Sequence, residues 1–170
     1  SIDSRSLVPG DLFVALRGPN NDAHDFAAAA VAAGAAALLV ERPLNLSTPQ
    51  IVVPDTTAAL EAMGSDRRAA ASDAFVLGIT GSVGKTGTKE LATAGFATLG
   101  RTHATIGNLN NHYGVPLTLA RMPVDTRFAV IEMGMSAPGE IRALTRLVRP
   151  DAALITWVSA AHSAFFNSTV

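Results

Sequence analysis

The stretch FVLGITGSVGKT, residues 75–86, decides how this chain folds. It opens with six residues typical of a buried parallel strand, continues through a turn that contains Gly81 and Gly84, and ends where a helix is predicted to begin. Glycine lets the backbone approach an anion closely and adopt a positive φ angle. The backbone N–H groups of residues 82–86 are therefore expected to converge on a phosphate at the positive end of the helix dipole.

The ligand expected on this loop is the triphosphate of a nucleotide, ATP with Mg²⁺. Lys85 would reach the β- and γ-phosphates, and the hydroxyl of Thr86 would ligate the metal ion. The general pattern G-x-x-x-x-G-K-[ST] requires a glycine where this chain has Ile79, so the match is incomplete. The alternative is a tight strand-to-helix turn with an exposed lysine. The preceding strand, the additional Gly81 and the following helix favour the phosphate site.

Composition restricts the class of protein. Of the 170 residues, 48% are apolar and 16% are charged, which suits a buried core and argues against disorder. A formal charge of −1 argues against a protein that wraps nucleic acid. The lack of cysteine excludes disulfides, thiolate metal sites and a cysteine nucleophile, and it fits a reducing compartment. No apolar run approaches the ~20 residues that a membrane span needs.

Strands and helices are predicted to alternate along the chain, which implies an α/β fold with parallel strand pairing. We expect a small α/β unit over residues 1–72 and a second, mainly parallel unit over residues 73–170. The elements expected in the first unit are strands at 11–16, 36–40 and 50–53, a helix at 23–33, and a helix from Asp55 or Thr56 to Ala71 that Gly64 weakens. Those expected in the second are strands at 75–80, 102–105, 128–133 and 152–158, and helices at 85–99, 115–120 and 138–148.

Two further side chains are candidate ligands of the metal ion. Glu132 follows the apolar residues 128–131, so it lies near the carboxyl end of a buried strand, where open α/β sheets bind ligands. A carboxylate there is unfavourable unless it is paired or bound to a metal, and the alternative is a salt bridge with an arginine at the edge of the core. His162 follows the next predicted strand and could be a ligand through a neutral ring nitrogen, although a lone histidine more often has a structural role.

The segment GNLNNHYG, residues 107–114, is dense in amide side chains. Asn108, Asn110 and Asn111 can each donate and accept hydrogen bonds, which suits a polar substrate that carries phosphates and peptide carbonyls. The alternative is a turn whose amides bond their own backbone.

Several separated segments resemble the Mur ligases of peptidoglycan synthesis. They are TGSVGKTGTKE at 80–90, GNLNNHYGVPLTL at 107–119, IEMGM at 131–135 and PGEI at 138–141. IDSR at 2–5 and PGDLFVALRG at 9–18 resemble the UDP-binding domain that the MurE and MurF branches share. The asparagine-rich loop favours the MurF branch.

The resemblance implies a small amino-terminal UDP-binding domain followed by part of a phosphate-loop ATPase domain. It implies an ATP-dependent ligase that adds D-alanyl-D-alanine to UDP-N-acetylmuramoyl-tripeptide through an acyl phosphate, as a cytoplasmic bacterial enzyme that is monomeric at full length. Neither a nucleic-acid partner nor a membrane span is expected. The family has three domains, so the chain is expected to be a fragment that does not make the amide bond alone.

The resemblance also assigns roles to residues. ATP would contact Gly81, Ser82, Val83, Gly84, Lys85, Thr86 and Gly87. Catalysis would involve Lys85, Glu132 and His162, and Mg²⁺ would be held by Thr86, Glu132 and His162. The UDP-linked substrate would contact Ser4, Arg5, Asn20, Asn21, Asn108, Asn110 and Asn111.

Three positions depart from the family pattern. Trp157 stands where an asparagine is usual, Ala164 where a glutamate is common, and Gly87 where a threonine or serine is frequent. Because of the first two, a nucleotide-binding module without catalysis remains an alternative. A MurE-type or folylpolyglutamate-type ligase is the other. A switch GTPase is disfavoured, since the sequence contains no Asn-Lys-x-Asp segment.

Overall fold

A computed structural model describes residues 1–18 and 21–159 of the chain. The chain divides into two compact units, Ser1–Leu60 and Glu61–Val170. None of the helices in the described ranges has the length and apolar character that crossing a bilayer requires.

The first unit contains a three-stranded parallel sheet. Its strands are β1 (Leu12–Val14), β2 (Ala37–Val40) and β3 (Gln50–Val52), in the spatial order β1-β2-β3. A 3₁₀ turn (Ala23–Phe26) leads into helix α1 (Ala27–Ala32), which connects the first two strands. Small alanine side chains on the helix share a core with the strands, so the helix lies close to the sheet. The buried residues of this core are Phe13, Ala15, Ala27, Ala30, Ala35, Leu38 and Val40.

The prediction of one continuous α-helix over residues 23–33 is wrong in its first turn. The carboxylate of Asp22 accepts hydrogen bonds from the backbone N–H of His24 at 3.0 Å and from its ring Nδ1 at 2.5 Å. Both bonds draw the start of the segment into a tight 3₁₀ turn. Gly34, with φ of 98°, follows the end of the helix, as expected for a glycine stop signal.

The second unit contains a four-stranded parallel sheet in the spatial order β5-β6-β4-β7. Its strands are β4 (Phe75–Thr80), β5 (Thr102–Ala104), β6 (Phe128–Glu132) and β7 (Ala152–Ile155). Its helices are α3 (Lys85–Ala97), α4 (Gly114–Ala120) and α5 (Glu140–Val148), and α2 (Thr56–Ala70) begins in the first unit and continues into the second. The predicted α/β class with parallel pairing is confirmed.

Strand register brings the predicted site residues to one edge of this sheet. Ile79 of β4 lies opposite Glu132 of β6, and Thr80 lies opposite Ile155 of β7. Because parallel strands end at the same edge, the glycine-rich loop after β4 and the carboxylate of β6 are neighbours.

Several predicted boundaries differ from the observed ones by one to three residues, and two of these differences have a clear physical cause. Helix α5 begins at Glu140 rather than Pro138, because Gly139 adopts φ of 89° and the carboxylate of Glu140 accepts the backbone N–H groups of Ser136 and Ala137. These bonds hold residues 136–139 in a turn.

Strand β7 ends at Ile155 rather than Val158. The hydroxyl of Thr156 donates to the carbonyl of Val83, and Trp157 forms an antiparallel bridge with Val83. The chain therefore leaves the parallel sheet to pair with the glycine-rich loop.

Gly64 lies in the interior of α2, where glycine was expected to weaken the helix, yet the helix continues through it. The reason is a close approach of α4. A Cβ atom at position 64 would lie 2.8 Å from the carbonyl oxygen and 3.0 Å from the Cα of Pro116. Since both are backbone atoms, neither can move aside easily.

We predict that Gly64→Ala lowers the free energy of unfolding, although alanine is favoured over glycine in a helix by about 1 kcal/mol. The conflict with the backbone of Pro116 outweighs that preference. Gly95→Ala is the matched control, because a Cβ on Gly95 of α3 meets nothing within 4 Å. It should stabilise by roughly 0.5–1 kcal/mol. Urea unfolding followed by circular dichroism compares the two, and equal stabilisation by both would contradict the close packing of α2 on α4.

Candidate functional site

The glycine-rich loop follows β4 and is shaped by its two glycines. Gly81 has φ of 138° and Gly84 has φ of 85°, which side chains rarely permit. A Cβ on Gly81 would collide with the hydroxyl oxygen of Thr156. Gly84 is the N-cap of α3, so the loop passes directly into the positive end of a 13-residue helix.

The expected convergence of five backbone N–H groups is wrong at Ser82. Its N–H donates to the carbonyl of Trp157 at 2.7 Å, and its hydroxyl bonds to Ser159. Val83 pairs with Trp157 in an antiparallel backbone bridge. Within residues 1–18 and 21–159, the N–H groups of residues 84–86 have no recorded hydrogen bond to a backbone carbonyl. These three donors are therefore available to an anion.

Lys85 lies folded over the same loop. Its Nζ donates to the carbonyl of Gly81 at 2.6 Å and lies 3.3 Å from that of Ser82. The ammonium group thus sits above the glycine turn, among the groups predicted to hold phosphate, and neutral carbonyls are its recorded partners.

Glu132 is the buried acid of the site, with 1% of its surface exposed. Its Oε2 accepts the hydroxyl of Thr86 at 3.1 Å, and its Oε1 accepts the side-chain amide of Asn110 at 2.8 Å. No lysine or arginine in the described part of the chain forms an ion pair with it, so the salt-bridge alternative does not hold there. A buried carboxylate with neutral donors alone lacks compensating charge, which a divalent cation would supply.

The spacing of two oxygens fits Mg²⁺. An octahedral ion with ligands at 2.0–2.1 Å places neighbouring ligand oxygens about 3 Å apart. The oxygens of Thr86 and Glu132 are 3.1 Å apart. No group of three or more His, Cys, Asp or Glu side chains that could hold a metal occurs in the described ranges. Magnesium commonly takes few protein ligands together with waters and phosphate oxygens. The third predicted ligand, His162, lies outside the described residues.

The three asparagines of the amide-rich loop have different surroundings. Asn110 makes the bond to the buried carboxylate, whereas Asn111 accepts the backbone N–H groups of Tyr113 and Gly114 at 3.1 and 2.9 Å. Asn111 thereby stabilises the turn that leads into α4, which is the structural alternative considered for this loop. The side chain of Asn108 is exposed and accessible to a ligand.

A cleft of about 170 Å³ opens beside the asparagine loop. Gly134 lies between the two features, because its N–H donates to the carbonyl of Asn110 at 2.7 Å while its surface lines the cleft. The lining residues are Glu61, His112, Gly134, Glu140, Ala143, Leu144 and Leu147. The lining thus combines apolar side chains of α5 with two acidic residues, Glu61 and Glu140.

The candidate substrate residues of the first unit lie near its amino terminus and in the loop after β1. Arg5 is 88% exposed, and its guanidinium group donates three hydrogen bonds, of 2.9, 3.2 and 2.7 Å, to the carboxylate of Asp3. The side-chain hydrogen bond from Arg5 lowers the pKa of Asp3 to about 2. Ser4 is half-buried beside this pair, and Asn21 is exposed. Asn20 lies outside the described residues.

Sequence reasoning missed a polar cluster in the first unit. The ring of His24 is fully buried, with Nδ1 against Asp22 and Nε2 accepting the N–H of Glu41 at 2.8 Å. Because Nε2 accepts, Nδ1 carries the proton and donates to the carboxylate. Arg42 reaches the other oxygen of Asp22 at 3.0 Å. A histidine two residues after an N-cap aspartate was the available signal.

Two buried residues beside Glu132 were also missed. Lys89 is 1% exposed and its Nζ donates to the carbonyl of Thr105 at 2.9 Å. The hydroxyl of Thr105 accepts the backbone N–H of Glu132 at 2.9 Å. Their only sequence signal is that Lys89 lies one helical turn after Lys85.

Two family models match the chain. "Mur ligase family, catalytic domain" matches residues 1–94, and "Mur ligase middle domain" matches residues 79–169. Together the two matches extend over almost the whole chain.

Two of the curated relatives illustrate the similarity and carry the same name. The UDP-N-acetylmuramoyl-tripeptide--D-alanyl-D-alanine ligase of Escherichia coli (strain K12) is 48% identical over 98% of this chain and 36% of its own length. The ligase of that name from Bacillus subtilis (strain 168) is 44% identical over 94% of this chain and 35% of its own length. The chain therefore spans about a third of the length of these relatives.

Solved structures give the same result. A crystal structure of MurF from Acinetobacter baumannii superposes with a TM-score of 0.88 at 40% identity, over 99% of this chain and 37% of that one. MurF ligase from Thermotoga maritima, solved in complex with ADP, superposes with a TM-score of 0.81 at 33% identity, over 99% of this chain and 39% of that one.

We predict that Asp22 makes the stability of the protein sensitive to acid. Burial alone would raise the pKa of Asp22, but the hydrogen bonds from His24 and Arg42 outweigh it and hold that pKa well below its ordinary value. Because the folded state lowers this pKa, the stabilisation is present above the unfolded value of 3.8 and is lost as the pH falls below it.

Asp22→Asn should lower the free energy of unfolding by about 1 kcal/mol at pH 7. The gap from wild type should close progressively as the pH falls below about 4, as urea unfolding at a series of pH values down to about pH 2 would measure. Asp25→Asn, which changes the same charge on the same turn without removing these bonds, is the control. A gap that stays constant across that range would contradict the assignment.

Proposed function

Since the chain belongs to the Mur ligase family, we propose that it supplies the UDP-binding and nucleotide-binding parts of an ATP-dependent ligase. In the full-length protein that ligase joins D-alanyl-D-alanine to UDP-N-acetylmuramoyl-tripeptide in the bacterial cytoplasm. The observation that carries the proposal is the 3.1 Å pairing of Thr86 with the buried Glu132 at the end of a phosphate-type loop. The names of relatives over nearly the whole chain support it. We assign residues 1–72 to the UDP-substrate domain and residues 73–170 to part of the central ATP-binding domain.

The nucleotide would bind with its β-phosphate against the N–H groups of residues 84–86. These donors have no recorded backbone acceptor among the described residues, and the dipole of α3 adds positive potential at the same point. Lys85 would exchange its bond to the carbonyl of Gly81 for a phosphate oxygen, since a charged acceptor makes the stronger bond. A similar protein was solved in complex with ADP, which supports nucleotide binding by the full-length protein.

Magnesium would be held by Thr86 and Glu132, with His162 as the proposed third ligand. Bound there, the ion would spread the negative charge of the triphosphate during phosphoryl transfer. Asn110 would keep the carboxylate of Glu132 turned toward the ion through its 2.8 Å bond to the other oxygen. Hydrogen bonds of this kind commonly orient the carboxylates that bind metal ions in proteins.

In the proposed reaction, the terminal carboxylate of the tripeptide attacks the γ-phosphorus of ATP, which gives an acyl phosphate and ADP. The amine of D-alanyl-D-alanine then attacks the acyl carbon, and phosphate leaves as the amide bond forms. The task of this chain is to bring two anions together, and Lys85 with the loop N–H groups offsets their repulsion. Orientation of the two reactants supplies the rest of the rate enhancement.

The muramoyl-peptide would pass along the asparagine loop. Asn108 is exposed there and the 170 Å³ cleft lies alongside, so both are accessible to a peptide that ends at the metal site. The uridine diphosphate would contact Ser4, Arg5, Asn20 and Asn21 in the first domain.

The departure at Trp157 does not favour the non-catalytic alternative. This residue lies after β7 rather than in it, its side chain is 66% exposed, and its main-chain carbonyl makes the bond to Ser82. Because the backbone makes this bond, many side chains at this position would leave the glycine-rich loop in the same conformation.

We predict that Lys85→Ala in the full-length protein abolishes ligation while the fold is kept. Loss of the charge that faces the γ-phosphate should lower kcat by roughly 100-fold or more. The measurement is ADP release in a coupled assay with UDP-N-acetylmuramoyl-tripeptide and D-alanyl-D-alanine, with circular dichroism to check folding.

Arg142→Ala, at an exposed cation of α5, is the matched control and should turn over like wild type. Wild-type turnover by Lys85→Ala would refute the role of this lysine. A full-length protein that releases ADP with a different amine substrate, and not with D-alanyl-D-alanine, would refute the substrate assignment.

A further inference from the structure

Lys89 carries a buried ammonium group that the proposed chemistry does not use. It lies one helical turn after Lys85 on α3, with 1% of its surface exposed. The group donates to the carbonyl of Thr105 at 2.9 Å and pairs with the carboxylate of Glu90 at 2.7 Å. Burying an ammonium group is unfavourable unless bonds of this kind compensate it, so the position requires an explanation.

Thr105 connects this ammonium group to Glu132. It is the first residue after β5, and every polar group it has is engaged. Its N–H donates to the carbonyl of Val130 at 3.0 Å, its carbonyl accepts from Lys89, and its hydroxyl accepts the backbone N–H of Glu132 at 2.9 Å. Lys89 therefore holds Thr105 in place. Thr105 in turn holds the backbone N–H of Glu132 through its hydroxyl.

We propose that Lys89 is a positioning residue for the metal-binding carboxylate, acting through Thr105 on Glu132. This inference rests on the proposed function, since it concerns the same metal site. Without the ammonium group, the carbonyl of Thr105 would be left buried and without its donor. The segment after β5 would shift to reach another donor, and the N–H of Glu132 would lose its alignment with the hydroxyl of Thr105.

The same segment leads to Asn110, the second group that orients the carboxylate of Glu132. A shift at Thr105 would therefore disturb Glu132 from two directions, at its backbone and at its side chain. The N–H groups of residues 84–86 belong to the glycine-rich loop and the first turn of α3, so they would be unaffected. Removal of the ammonium group should weaken the binding of nucleotide with metal and leave metal-free nucleotide binding unchanged.

Lys89→Met tests this in the full-length protein, since methionine keeps an apolar stem of similar length. Calorimetry would titrate ATP into the protein once with Mg²⁺ and once with a chelator. We expect the Kd for ATP with Mg²⁺ to rise roughly 10-fold, as is typical when a residue that orients a metal ligand is lost. The Kd measured with the chelator should change less than about twofold.

Two matched pairs separate positioning from general stability. Glu90→Gln removes the ion pair of Lys89 but keeps its bond to Thr105, and should leave both Kd values as in wild type. Thr105→Val removes the hydroxyl that accepts from Glu132 and should reproduce the effect of Lys89→Met. Thr105→Ser keeps the hydroxyl and should restore wild-type binding. If Lys89→Met fails to fold, the Thr105 pair decides the question.

Equal weakening with and without Mg²⁺ in Lys89→Met or Thr105→Val would show a merely structural role and overturn the inference. Weakening in Glu90→Gln equal to that in Lys89→Met would assign the effect to the ion pair and overturn it too. A wild-type protein that binds no ATP at all would instead refute the proposed function on which the inference rests, and the two failures are therefore distinguishable.

Discussion

The second unit is organised around one buried carboxylate, that of Glu132. Parallel pairing of β4 with β6 sets Glu132 opposite Ile79, one residue before the strand opens into the glycine-rich loop. Neutral donors from Thr86 and Asn110 hold its two oxygens, and no ion pair within the described residues neutralises it. A carboxylate in such a buried place is tolerated best when a cation is present.

The surrounding elements give that carboxylate a fixed frame. The glycine-rich loop is anchored by main-chain and hydroxyl bonds to Thr156 and Trp157, which hold its shape from within the protein. Lys89 and Thr105 hold the opposite side of the frame through bonds of 2.9 Å. A site whose donors are already in place requires little reorganisation when charge develops, which is the condition for electrostatic catalysis.

Sequence patterns predicted the parts of this site that depend on local chemistry. The strand at residues 75–80, the helix that starts at Lys85 and the position of Glu132 at a strand end all follow from apolar runs and glycine spacing. Contacts across the sheet could not be predicted from such patterns. The N–H of Ser82 bonds to a residue 75 positions away, and Asn110 and Asn111 have the same side chain but different partners. In each case the tertiary partner decides the role, and spacing along the chain does not contain it.

The proposed nucleotide and metal site is tested most directly by a crystal structure of the full-length protein with Mg²⁺ and a non-hydrolysable ATP analogue. We expect the β-phosphate within hydrogen-bond distance of the N–H groups of residues 84–86, and Lys85 turned from the carbonyl of Gly81 to the phosphates. We also expect the metal ion to be bonded to both Thr86 and Glu132. A nucleotide bound elsewhere, or an occupied loop in which Thr86 still donates to Glu132 and the ion lies apart from both, would contradict this site.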